Sequence, residues 1–183
     1  MDAAKTPRSL PNWFVRLAIG RHPWRTLARL AVLILGTWAV FSFVLTPPIR
    51  VTGISMMPTY RDGQINFLNR LAYWRNEPQR GDVIGVRFKN TDTDGNSLMF
   101  LKRIVGLPGE TVAFVNGRLY INDEPLEEPY LKRACDWNMP PMKLGVDEYY
   151  VVGDNRSMAL DDHWQKAILR RQIVGRILFR GNS

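Results

Sequence analysis

The sequence predicts a mainly β domain preceded by one transmembrane helix. Three observations carry this. Leu30 to Ile49 is a run of 20 residues without a charge. After it the pattern changes to short apolar runs with a period near two. Turn dipeptides separate those runs, Asn116-Gly117 being the strongest hairpin signal. The chain of 183 residues is long enough for one core of about 100–150 residues plus an appendage. Its 45% hydrophobic and 23% charged content is that of a globular protein.

The N-terminal segment, residues 1–29, is basic. Lys5, Arg8, Arg16, Arg21, Arg25 and Arg29 stand against Asp2 alone, a local charge of +5 out of a total of +8. Basicity gathered at one end beside an apolar run points to a membrane surface rather than nucleic acid, since no later basic groove interleaved with aromatics appears. Leu10 to Ile19 is amphipathic, which fits a helix at headgroup level or one packed on protein.

Residues 30–49, LAVLILGTWAVFSFVLTPPI, are read as the transmembrane helix. Twenty helical residues rise about 30 Å, the thickness of a bilayer's hydrocarbon core. Pro47-Pro48 stops the helix. The rival readings fit less well: Phe43-Val44-Leu45-Thr46 lacks the small residues of a cleavable signal peptide, and a buried core helix rarely runs so long without charge. With Arg21, Arg25 and Arg29 on one flank, the N-terminus is expected in the cytoplasm and residues 50–183 outside.

The remaining strands follow in order. Gln64–Leu68 comes after Asp62-Gly63, and Asp82–Phe88 after Arg80-Gly81. Leu98–Val105 follows Thr93-Asp94-Gly95-Asn96, making a hairpin with the strand before it. Val112–Val115 and Arg118–Ile121 flank Asn116-Gly117. Glu148–Val152 and Gln172–Phe179 complete the set, with a short helical turn at Ala167–Arg171 and a loop at Cys135–Pro141. So many short strands close or fold on themselves to protect their edges. One cysteine, Cys135, excludes a disulfide within the chain. One cysteine and two distant histidines give no metal-ligand spacing, and no nucleotide fingerprint is present, so neither metal nor cofactor is expected.

The candidate chemistry lies in Gly53-Ile54-Ser55-Met56-Met57-Pro58-Thr59. A serine beside a proline is usually a turn residue, and as a nucleophile it needs a base. One candidate base is His163, with Asp154 or Asp161 as the third member. The other is Lys102, in the apolar strand Met99–Val105. By alternation Phe100, Lys102 and Ile104 share one face. Desolvation there penalises the ammonium, and a fall from about 10.4 to about 7–8 would make a general base at neutral pH.

Four blocks together resemble the type I (leader) signal peptidases, a family of membrane-bound Ser/Lys serine proteases. They are Gly53–Thr59, Arg80-Gly81-Asp82-Val83-Ile84, Lys102–Glu110 and Gly153-Asp154-Asn155-Arg156, in family order. The resemblance implies a β-domain of coiled antiparallel sheets. It implies Ser55 as nucleophile and Lys102 as base, with the Ser55 backbone N–H as an oxyanion donor. It implies Asp154, Arg156 and Ser157 as structural supports. Met56, Tyr60, Phe100 and Leu101 become candidates for the walls of shallow substrate pockets. The substrates implied are preproteins whose signal peptides are cut after small residues, of Ala-X-Ala type, at the outer face of a bacterial inner membrane. The partners are then those peptides and the lipid bilayer, with no nucleic acid and no metal.

Three positions depart from the family pattern. Gly53 stands where many relatives carry an oxyanion-donating serine. Ala159 stands where the serine that hydrogen-bonds the lysine usually is, with Ser157 as a replacement from a shifted loop. His163 replaces an arginine, so an ion pair with Asp161 would respond to pH. The departures keep two alternatives open: a specialised maturation peptidase of conjugative pili, and an inactive tethered domain that binds extended peptides.

Overall fold

The computed structural model describes residues 23–91, 97–163 and 166–179. The stretch Leu10–Ile19, His22 and the Thr93–Asn96 turn lie outside the described residues. Two compact units divide between Val44 and Leu45.

The first unit contains helix α1, Pro23–Leu45. Proline suits a first helical position, where its missing N–H has no partner to lose. The helix starts seven residues before the uncharged run, because Arg25 and Arg29 are good helix formers and do not interrupt it. It also stops short of Ile49. The residue before a proline is disfavoured in the α region, so Thr46 ends the helix, and Pro48–Arg50 forms a strand instead. Trp24–Leu45 has a mean hydropathy of 2.0 and is long and apolar enough to cross a membrane. Leu27, Leu33, Trp38, Phe41 and Val44 are all exposed around it. A helix apolar on every side is at home only in apolar surroundings.

The second unit is built from two antiparallel sheets. Its strands are β1 (Pro48–Arg50), β2 (Ile65–Asn69), β3 (Val83–Thr91), β4 (Ser97–Gly106), β5 (Thr111–Val115), β6 (Arg118–Ile121), β7 (Glu124–Pro125), β8 (Met139–Lys143), β9 (Glu148–Val152), β10 (Ile168–Leu169) and β11 (Ile173–Ile177). The larger sheet has the order β1-β2-β11-β3-β4-β9-β10, and the smaller β7-β6-β5-β8. Asn116 and Gly117 turn between β5 and β6 with φ of 48° and 78°, as a two-residue hairpin turn requires. The turn expected at Ala167–Arg171 is divided between β10 and a 3₁₀ turn, Arg170–Gln172. Strand β8 was not expected, because Pro140-Pro141 reads as a loop. It is tolerated because β8 is the edge of its sheet, where a missing N–H breaks no interior ladder.

Strand β9 and the Leu101–Val105 part of β4 are buried on both faces. Val105, Tyr150 and Val152 enter a core with Phe114, Leu119 and Trp137 of the small-sheet side. Ile104, Tyr149 and Val151 enter a second core with Ile84, Val86 and Ile168. Leu101 enters a third with Val51, Met56, Tyr60 and Leu68. Any polar residue on these stretches is therefore drawn into the interior.

Two buried ion pairs tie the loops to this frame. Arg156, 1% exposed, holds Glu128 through Nη1 at 3.0 Å and Nη2 at 2.5 Å, and donates from Nε to the Gly153 carbonyl at 3.1 Å. Its guanidinium lies 5.5 Å from the Phe114 ring centroid and 5.4 Å from that of Trp137. Removing one partner leaves a buried charge uncompensated, which costs about 3–5 kcal/mol. Glu128→Ala is expected to lower the unfolding free energy of the detergent-solubilised chain by that amount. Urea titration measures it, and the double variant Glu128→Met/Arg156→Met should recover most of the loss.

Candidate active site

Ser55 sits in the loop joining β1 to β2. The hairpin ladder runs on past the strands, with Val51 N–H donating to Gln64 O and Gly63 N–H to Val51 O, both at 2.8 Å. The chain then turns at Gly53, whose φ of 92° is open to glycine without strain. Gly53 N–H donates to Asp62 Oδ1 at 2.8 Å, so it is already engaged. Asn155 grips the loop from outside: its N–H donates to Ser55 O and its Nδ2 to Ile54 O, each at 3.0 Å. The Ser55 side chain stays half-buried, between exposed Ile54 and Met57.

Lys102 is 5% exposed and lies opposite Ile84 in the β3–β4 register. Burial lowers its pKa to about 8, against the opposing pull of the Asp154 carboxylate. Asp154 does not capture the ammonium because its oxygens are engaged elsewhere. Oδ1 accepts from Arg103 Nε at 2.8 Å, and Oδ2 from Arg103 Nη2 and Thr59 Oγ1, each at 2.6 Å.

Ser55 packs on Gly153, and Lys102 lies one residue before the pairing of Arg103 with Val152, the residue that leads into Gly153. A Cβ at position 153 would overlap the Ser55 carbonyl and lie 2.8 Å from His163 Cε1. Among the described residues Ser55 Oγ and Lys102 Nζ are not hydrogen-bonded to each other. Such bonds are often long before substrate arrives.

The His163 triad is not built. Asp154 is held by Arg103 and Thr59, and Asp161 is exposed on the 3₁₀ turn Leu160–Asp162. His163 itself is 5% exposed, with Nε2 3.2 Å from Asn155 O and its ring 4.7 Å from Trp137. Its pKa is lowered to about 4, first by burial and then by Lys102. Ser157 does not replace the missing serine: it is exposed and donates to Asn155 Oδ1 at 2.6 Å. Ala159 faces solvent.

Of the four expected pocket walls, Met56, Tyr60 and Leu101 are core residues, 1%, 3% and 8% exposed. Phe100, at 39%, is open. A cleft of 720 Å³ includes Thr59, Tyr60, Arg80, Arg103, Tyr130 and Arg176 in its lining, but neither Ser55 nor Lys102. Residues that sequence reasoning passed over are Asn155 and Thr59, whose partners lie about a hundred residues away.

The unfolded chain holds the Lys102 proton more tightly than the folded one between pH about 8 and about 10.5. The destabilisation is therefore complete below pH 8 and disappears as pH rises through 10.5. Lys102→Met is expected to be more stable than the parent at pH 7 by about 3 kcal/mol. The difference should vanish at pH 11; urea unfolding of both proteins at the two pH values measures it, and equal stability at pH 7 contradicts it.

Comparison with known proteins shows the family to which the chain belongs. The family described as signal peptidase, peptidase S26, matches residues 24–181. The signal peptidase I of Leptolyngbya laminosa is 36% identical over 69% of this chain and 64% of its own length. That of Bacillus amyloliquefaciens is 36% identical over 70% of this chain and 69% of its own length. A solved signal peptidase I from Enterococcus faecalis superposes with a TM-score of 0.41 at 27% identity, over 55% of this chain and 97% of that one. The chain spans about two thirds of the length of both curated relatives. With 158 of its 183 residues inside the match, the chain belongs to the signal peptidase family, peptidase S26.

Proposed function

We propose that this chain is a membrane-anchored serine endopeptidase that removes signal peptides from exported preproteins, cutting after small residues of Ala-X-Ala type. The observation that carries this reading is a buried lysine of lowered pKa, one residue before the strand pairing that leads into Gly153, where a serine packs on a rigidly held turn. Neutral Lys102 takes the Ser55 hydroxyl proton as Oγ attacks the scissile carbonyl. The Ser55 N–H donates to the developing oxyanion. Lys102 then gives the proton to the leaving amine, the scissile C–N bond breaks, and the mature chain departs while the signal peptide stays as an ester on Ser55 Oγ. Water, deprotonated by the same lysine, hydrolyses the acyl-enzyme and frees Ser55.

Gly53 brings no hydroxyl to the oxyanion, and its N–H is engaged by Asp62. Substrate is read as an extended segment added beside β4, with Phe100 against its side chains. α1 is read as the membrane span, with the arginines at 21, 25 and 29 on the cytoplasmic side. That puts residues 50–183 on the outer face of the inner membrane, where signal peptide cleavage sites emerge.

Cleavage of an Ala-X-Ala precursor in detergent tests the roles. Ser55→Ala and Lys102→Met are each expected to lower kcat by about 10³-fold or more with KM little changed. Below pH 8 the parent's kcat/KM should fall about tenfold per pH unit, because only neutral Lys102 accepts a proton. Undiminished cleavage by either variant rejects the Ser/Lys reading.

A further inference from the structure

Among the described residues, one buried side-chain nitrogen or oxygen has no hydrogen-bond partner: His163 Nδ1. A buried acceptor left unmade is costly, and in a native structure it calls for an explanation. Three further observations bear on it.

The first is the tautomer. His163 Nε2 lies 3.2 Å from the Asn155 carbonyl, which can only accept. The proton is therefore on Nε2, and Nδ1 carries a bare lone pair. The second is location. His163 Cε1 and the Ser55 carbonyl crowd the same space beside Gly153, and Lys102 lies one residue before the β4–β9 pairing of Arg103 with Val152, which leads into Gly153. The third is charge. The groups acting on the imidazole are Lys102 from β4, most strongly, then Arg156 in the loop after β9 and Asp162 on its own turn; Trp137 packs against the ring. Burial first, and then the excess of positive charge, keeps the imidazole neutral, so the lone pair persists over the whole working range.

We propose, resting on the Ser55/Lys102 reading, that His163 is a positioning residue: its Nδ1 lone pair, unpaired in this structure, is the acceptor that orients the Lys102 amino group once substrate closes the site, while its Nε2–H braces Asn155 and through it the Ser55 turn. The loop Ser157–Asp162 carries Ala159 out to solvent and brings the next residue, His163, back beneath the site. An imidazole thereby supplies the hydrogen-bond acceptor that neither Ala159 nor Ser157 provides. The histidine takes no proton from substrate or nucleophile. It holds the lysine that does.

Two conservative variants separate the halves of this role. His163→Asn places an amide oxygen near Nδ1 but does not reach Asn155 O. His163→Gln reaches Asn155 O with an amide N–H but leaves no acceptor at Nδ1. With the full-length enzyme in detergent and an Ala-X-Ala precursor, His163→Gln is expected to lose about tenfold in kcat at unchanged KM, the scale of one lost orienting hydrogen bond. Its acid limb should move to lower pH, because the ammonium loses a partner. His163→Asn should keep kcat within about threefold of the parent and leave the limb in place. Equal rates for the two variants, or the reverse order, overturn the proposal. So does an unshifted limb in His163→Gln. Lys102→Met in the same assay keeps the outcomes apart: if it still cleaves, the Ser/Lys reading has failed, whatever His163 does.

Discussion

The arrangement depends on the pairing of Arg103 with Asp154. Lys102 and Arg103 are neighbours on one strand, and both are drawn into the interior because this part of β4 is covered on both faces. Their fates differ through one carboxylate. Arg103 receives Asp154 in a two-pronged contact, a geometry that a planar guanidinium satisfies and an ammonium does not. Thr59 takes a further share of the same carboxylate. Lys102 is left with a carboxylate that is near but already neutralised. Without Arg103, the Asp154 charge would act on Lys102 uncompensated and would favour its protonated form. The arginine thus keeps the lysine available, and the two cationic side chains cannot be exchanged.

The same pair anchors the geometry. With Asp154 pinned to β4 and Arg156 pinned to Glu128, the residues between and beside them have little freedom. Asn155 is then presented to the Ser55 loop with its backbone and side chain both donating to it. Gly153 lets that approach happen, because any side chain there would collide with the serine's carbonyl. A network from Glu128 through Tyr130 to the Arg103 guanidinium, 3.9 Å from the Tyr130 ring, joins the two ion pairs. The Ser55 turn is held both by its own loop and by a segment about a hundred residues later.

This explains what was legible in the sequence. Strands β5 and β6 were legible because Asn116-Gly117 demands positive φ at both positions, a local constraint. Lys102 was legible because a cation amid Phe100, Leu101, Ile104 and Val105 breaks a pattern. The end of α1 was misplaced by four residues because the loss of charge was followed to Ile49, whereas the backbone answers first to Pro47. Strand β8 was missed because its prolines are acceptable only at an edge, and edge position is a property of the sheet. Met56 and Leu101 were read as pocket walls because their neighbours in sequence are catalytic candidates. Their burial is set by Leu68, Val83 and Ile177, which come from other strands. The burial of His163 likewise depends on Trp137, outside its own element.

Placing Lys102 inside the core has one quantitative consequence. An exposed lysine at pH 7 is neutral in about 0.03% of molecules, and one with a pKa near 8 in about 10%, a gain of about 300-fold in competent enzyme. The gain and the destabilisation are one free energy seen from two sides, since both come from removing water from the ammonium. A histidine needs no such burial to be neutral at pH 7, and in this fold the buried His163 is displaced so far toward acid that it has lost its power as a base. The burial that makes Lys102 reactive therefore makes its neighbour inert. On the proposed reading, the lysine is left as the group that moves the proton and the histidine as a fixed, neutral acceptor.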